Sequence, residues 1–62
     1  MNQKAVIILS MPIAVQCRRD DVHTMTIHTR SHTDAVMLRD RWQDGCNMAQ
    51  MAELMLALGL KP

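Results

Sequence analysis
VHTMTIHTR, Val22 to Arg30, alternates apolar and polar side chains, and the following TDAVMLRDRWQDGCNMAQMAELMLAL, Thr33 to Leu58, repeats apolar residues at helical spacing on either side of Asp44-Gly45. The first run reads as a strand. Val22, Thr24, Thr26, His28 and Arg30 share one of its faces, and His23, Met25, Ile27 and Thr29 share the other. The second run reads as two amphipathic helices. Ser31 or Thr33 caps the first, Asp34 lies in its first turn where the helix dipole favours negative charge, and Ala35, Leu38 and Trp42 form its inward stripe. Arg39, Asp40, Gln43 and Asp44 turn outward, and Gly45 stops it. The second helix has a full start signal: Asn47 as N-cap, Gln50 three residues on as in a capping box, and Cys46 placed to staple onto Met51. Met48, Met51, Met55 and Leu58 make its stripe, with Ala52 and Leu54 beside it. Gly59 and Pro62 close it.

Upstream, Ala5-Val-Ile-Ile-Leu9 is a continuous apolar run suited to a strand buried on both faces or lying in a dimer seam. Ser10-Met11-Pro12 bends or ends it. Ile13 to Cys17 is a second short strand, and the charged cluster Arg18-Arg19-Asp20-Asp21 is the expected turn before Val22. The expected fold is therefore α+β: N-terminal β-strands or a hairpin followed by two antiparallel helices. Residues 1–62 form a single small domain, β-rich over 1–30 and a helical hairpin over 33–60.

Size adds an expectation about assembly. A 62-residue chain makes a marginal core unless a disulfide, a metal or a partner subunit contributes. Trp42 is the only aromatic residue and seven Met supply much of the apolar bulk, a composition found at adaptable surfaces and homodimer seams. Apolar residues cover too much of the second helix for one neighbour to bury, so an intertwined homodimer is expected, with Trp42, Met48, Met51, Met55 and Leu58 as core or dimer residues. The formal net charge of +1 provides no global field to attract nucleic acid or an anionic membrane. Any such binding must come from a local patch.

Several function classes find little support in the residues. There is no Gly-rich phosphate loop, no pair of carboxylates in an apolar setting, and no Ser or Cys beside a base in a recognisable motif, so no enzymatic activity and no cofactor are expected. His28 and His32 have His-x₃-His spacing, but the upstream Cys pair of a zinc finger is missing, and no metal site is expected. Two Cys are too few for a disulfide framework, and Cys17 and Cys46 are expected to be free thiols. The Ala5 to Val15 run has the length of a signal-peptide core, yet Pro12 interrupts it and Gln16 stands where a small residue would precede Cys17. No segment approaches the roughly 20 apolar residues that cross a bilayer. A cytoplasmic protein with no membrane partner is the expectation.

Two resemblances bear on function. Leu38-Arg-Asp-Arg-Trp42-Gln-Asp-Gly45-Cys-Asn47-Met-Ala-Gln-Met51-Ala52-Glu-Leu-Met55 resembles the first two helices of homeodomain-like helix-turn-helix regulators, in which a third helix enters the major groove. Met25-Thr-Ile-His-Thr-Arg30, the helix from Thr33 to Asp44, and Gly45-Cys-Asn47 leading into a second helix are similar to ribbon-helix-helix repressors. That second resemblance implies strands paired across a dimer axis and lying in the major groove, with Thr24, Thr26, His28 and Arg30 facing DNA and Met25 and Ile27 facing the core. It also implies a phosphate at the backbone N–H groups of the second helix N-terminus, at Asn47 and Met48. The expected function is a small homodimeric DNA-binding transcriptional regulator of phage or plasmid type. The alternative is a protein-binding module or inhibitor that docks on a host protein through its N-terminal strand or its Met-rich helix.

Overall fold
A computed structural model describes residues 2–60. Strands β1 (Gln3–Ile8), β2 (Ile13–Arg19) and β3 (Val22–Thr29) are followed by helices α1 (His32–Gln43) and α2 (Met48–Ala57). The strands form one antiparallel sheet in the order β1-β2-β3; α1 packs on one face of it and α2 packs on α1. Strands first and helices second is the expected α+β plan. The expected Pro62 stop lies outside the described residues.

The connections follow from local chemistry. Asp20 and Asp21 both have positive φ, 52° and 65°, the pair of left-handed residues that a two-residue type I′ hairpin requires. Arg18 and Arg19, expected in the turn, belong to β2 instead. Asp and Asn tolerate left-handed backbone better than other L-residues, so the hairpin closes on the two aspartates alone.

Both helix hinges end in the same way. After α1, the Gly45 N–H bonds the Trp42 carbonyl and the Cys46 N–H bonds the Arg41 carbonyl; after α2, Gly59 bonds Leu56 and Leu60 bonds Met55. These paired bonds are a Schellman closure around a glycine with φ of 105° or 73°. Ser31, one of the two expected caps, accepts the Asp34 N–H. The expected capping box of α2 is complete, with Asn47 Oδ1 accepting from the Gln50 N–H at 2.8 Å and Gln50 Oε1 accepting from the Asn47 N–H at 2.9 Å.

The core lies between the sheet and α1. Val15, Cys17, Ile27, Ala35, Leu38, Trp42 and Met51 are buried within it, with Met55 and Leu60 at its margin. Trp42 donates from Nε1 to the Arg18 carbonyl at 3.0 Å, and Arg19 lies over its ring at 5.4 Å. An indole that spends its one donor on the sheet can be wholly buried without cost. Helix α2 rests on α1 and makes no close backbone approach to the strands.

Three expectations need correction. The apolar run at Ala5 to Leu9 is buried on one face only within the chain: Ala5 is in the core, whereas Val6 is 58% exposed and Leu9 77%. Hydrophobicity without alternation could not reveal which side would be left open. The regular alternation of Val22 to Arg30 is broken by a β-bulge where Arg18 pairs with His23 while Cys17 pairs with Met25. His23 is thereby carried to the outer face, where its Nε2 lies 2.9 Å from Thr26 Oγ1. Of the expected core or dimer set, Trp42, Met51 and Met55 are buried and Leu58 packs against the core, but Met48 is 49% exposed.

Candidate functional site
The sheet face turned away from α1 is open, with Lys4, Val6, Arg18, Thr26 and His28 exposed on it. Cross-strand pairing sets its rows. Val6 pairs with Gln16 and Gln16 with Thr26; Ile8 pairs with Ala14 and Ala14 with His28; Lys4 pairs with Arg18 and Arg18 with His23. Directly opposed side chains on one face stand about 5 Å apart. One end is therefore basic, the middle hydrogen-bonding, and the far end more apolar, leading into exposed Leu9 and Met11.

The charges are segregated. Lys4, Arg18, His23 and His28 are the only ionisable side chains in these rows. The acids lie elsewhere: Asp20 and Asp21 in the β2–β3 turn, Asp34 and Asp40 on α1, Asp44 at its C-cap, and Glu53 on α2. Asp20 is partly committed, since its Oδ1 accepts the Asn2 N–H at 3.1 Å.

The five expected DNA contacts divide. Thr26 and His28 are exposed on the outer face. Thr24 is half-buried in the bulge, and its hydroxyl turns back to the Val22 carbonyl. Arg30 leaves the strand altogether: its Nη2 donates to the Leu58 carbonyl at 2.8 Å and to the Gly59 carbonyl at 3.2 Å, capping the C-terminus of α2. Asn47 is occupied by the capping box at the N-terminus of that helix. Lys4, Gln16 and Arg18, which complete the face, were not among the expected contacts. Their signal was the period-2 alternation of Lys4, Val6 and Ile8 against Gln3, Ala5 and Ile7, hidden by an almost uniformly apolar run.

The two sheet edges are treated differently. On β1, the Ala5 N–H, which points away from β2, is met by Gln43 Oε1 at 3.3 Å. Gln3 reaches under the same edge, donating from Nε2 to the carbonyls of Trp42 and Cys46 at 2.7 and 3.0 Å and accepting from Arg19 Nε at 3.1 Å. Among the described residues no side chain hydrogen-bonds the outer edge of β3, although Met48, Ala52 and Met55 of α2 stand beside it. Beside it runs a groove of about 250 Å³ lined by Met25, Thr26, Ile27, Met48, Ala52 and Met55.

Both cysteines are free thiols. Burial raises the Cys17 thiol to about 11, so it stays protonated near neutral pH and is a poor nucleophile. Among the described residues no group of three or more His, Cys, Asp or Glu side chains converges as a metal site, and no helix is long and apolar enough to cross a membrane. Compared with known protein families, with curated proteins and with solved structures, the chain matches none.

Proposed function
We propose that the protein is a small, non-enzymatic, homodimeric DNA-binding regulator that meets duplex DNA with the outer face of its sheet. The observation that carries this reading is the sign of that face, where Lys4 and Arg18 stand with His23 and His28 and no carboxylate intervenes. Phosphate contacts position a protein on DNA and base-edge contacts specify the sequence. Lys4 and Arg18 supply the first kind. Gln16, Thr26 and His28 stand beside them with donors and acceptors suited to the major groove, where Gln matches the N6 and N7 edge of adenine. Arg30, bound to the end of α2, is not part of the reading surface.

Binding to a labelled duplex, followed by fluorescence anisotropy across a salt series, tests this. If both copies of a dimer use Lys4 and Arg18, log K should fall against log salt with a slope of about −4. The Lys4→Glu, Arg18→Glu variant should lose binding while keeping its helical and strand content by circular dichroism. Unchanged affinity in that variant would sink the proposal.

A second reading is favoured by Val6, Ile8, Leu9 and Met11, which leave one corner of the sheet apolar and exposed. On that reading the protein docks on another protein through the face of its N-terminal strand, since the edge of that strand is occupied by Gln43. Met11 is 98% exposed. A Leu9→Ser, Met11→Ser variant that retains duplex binding at full strength separates the two readings in favour of DNA.

A further inference from the structure
Four glutamines fall among the described residues, and three are committed to the fold. Gln3 donates to the carbonyls of Trp42 and Cys46, Gln43 accepts from the Ala5 N–H, and Gln50 completes the capping box of α2. Gln16 is the exception. It stands half-buried on the central strand, yet among the described residues its side-chain amide bonds nothing. Its neighbours across the sheet are Val6 on one side and Thr26 on the other, and Val6 is 58% exposed. A free amide, which both donates and accepts, is thus set about 5 Å from an open aliphatic side chain. Both lie in the middle of a face that carries cations and no carboxylate.

Each of these two groups has a complement in the major groove. Adenine presents an N6 donor and an N7 acceptor, which an amide meets with two hydrogen bonds, and thymine alone among the four bases presents a C5 methyl open to apolar contact. Resting on the DNA reading of this face, we infer that its centre selects A·T base pairs: Gln16 takes the adenine edge and Val6 packs on the thymine methyl. Lys4 and Arg18, in the adjoining row, hold the phosphates. Ile8 extends the apolar strip along β1, while Ala14 beside it is buried, so the methyl contacts come from β1.

The make-up of the middle row disfavours the other base pair. Guanine is met best by a cation bidentate to O6 and N7, and the cytosine N4 donor by a carboxylate. Val6, Gln16 and Thr26 include neither, and the two permanent cations stand at one end of the face. The Thr26 hydroxyl is engaged 2.9 Å from His23 Nε2, which leaves Gln16 as the free hydrogen-bonding group of its row. An aliphatic side chain amid polar neighbours thereby gains a role: it buries a methyl that a hydroxyl or a charge in its place would meet only by losing its own hydration.

Anisotropy titrations with three labelled duplexes of one length test it: alternating A·T, the same duplex with deoxyuridine in place of thymidine, and alternating G·C. Uracil keeps every hydrogen-bonding edge of thymine and lacks only the methyl. The native protein should bind the thymine duplex about fourfold more tightly than the uracil duplex for each methyl packed, as burial of one CH₂-sized group implies. It should bind G·C roughly tenfold more weakly, the discrimination of a bidentate contact. Val6→Ser should bind the thymine and uracil duplexes equally. Gln16→Ala should lose most of the preference over G·C and keep the preference for thymine over uracil, and both variants should keep the native circular dichroism spectrum. Equal native affinity for the thymine and uracil duplexes overturns the inference without recourse to any variant. A thymine preference that survives Val6→Ser also overturns it, because the preference then comes from duplex shape and not from this side chain. Failure to bind any of the three duplexes refutes the DNA reading itself; binding all three alike removes the base selection and leaves that reading standing.

Discussion
Arg30 and Leu58, 28 positions apart, are joined by a 2.8 Å bond from the guanidinium Nη2 to the carbonyl oxygen. The residue that follows β3 therefore closes the far end of α2 and ties the strand to a helix whose backbone otherwise stays clear of the sheet. A cation at a helix C-terminus satisfies orphan carbonyls and complements the dipole. Because the site is exposed, Arg30→Ala is expected to cost about 1 kcal/mol in urea unfolding, with Arg30→Lys recovering part of it. Duplex affinity of the folded variant should change little, whereas a guanidinium reading bases would give a loss of about 1–3 kcal/mol in binding.

The two helix-closing glycines should respond unequally to alanine. Both have positive φ, so each substitution meets the left-handed penalty of about 1–2 kcal/mol. A Cβ at Gly45 meets nothing within 4 Å, whereas one at Gly59 would lie 2.9 Å from Arg30 Nη2. Because Arg30 Nη2 ends a flexible side chain, Gly59→Ala displaces it and forfeits its bonds to Leu58 and Gly59, and thermal unfolding should show that loss in addition to the backbone penalty. The difference should shrink in an Arg30→Ala background, where the clash has been removed.

At the β2–β3 turn the chain spends two L-residues on left-handed backbone. Asp20 also bonds the Asn2 N–H, whereas the Asp21 side chain bonds nothing among the described residues. Asp-Gly is a favoured pair for a type I′ turn. Asp21→Gly is therefore expected to stabilise the fold by roughly 0.5–1 kcal/mol, read as a higher urea midpoint at constant slope. A lower midpoint would show that Asp21 makes a contribution beyond the turn.

Cys17 gives the stability a pH dependence. Its thiol, ordinarily at 9.0, is raised by burial to about 11 in the folded state. Below pH 9 the thiol is protonated in folded and unfolded chains alike, and the fold keeps its full stability. Between 9 and 11 the unfolded chain releases the proton and the folded chain holds it, so stability falls as pH rises through that window. Cys17→Ala should flatten this part of the curve. At pH 8 a thiol reagent should modify Cys46 quickly and Cys17 only as fast as the protein opens.

Much of the second half was legible because its signals are local. Ser31, Asn47 with Gln50, Gly45 and Gly59 each act within a few residues, and all appear in the roles expected of them. Ala35, Leu38 and Trp42 face the core because helical spacing alone puts them on one stripe. The candidate surface was less legible. Thr26 and His28 stand where alternation places them, but a bulge at Thr24 and a departure at Arg30 remove two of the chosen residues from the face.

By itself, then, the sequence determined the order of strands and helices, the helix boundaries and the inward stripe of α1, all products of periodicity and capping over short distances. Only the tertiary structure decided which face of Ala5 to Leu9 is buried, that Lys4, Gln16 and Arg18 join Thr26 on one surface, that Gln43 guards one sheet edge while the other is left open, and that Arg30 serves a helix rather than the strand before it. Each of those outcomes depends on partners roughly 10 to 40 positions away, brought together by strand pairing and by helix α1 packing on the sheet. A pattern read along the chain records how often a side chain can face one way; which neighbours meet it there is fixed only when the layers close.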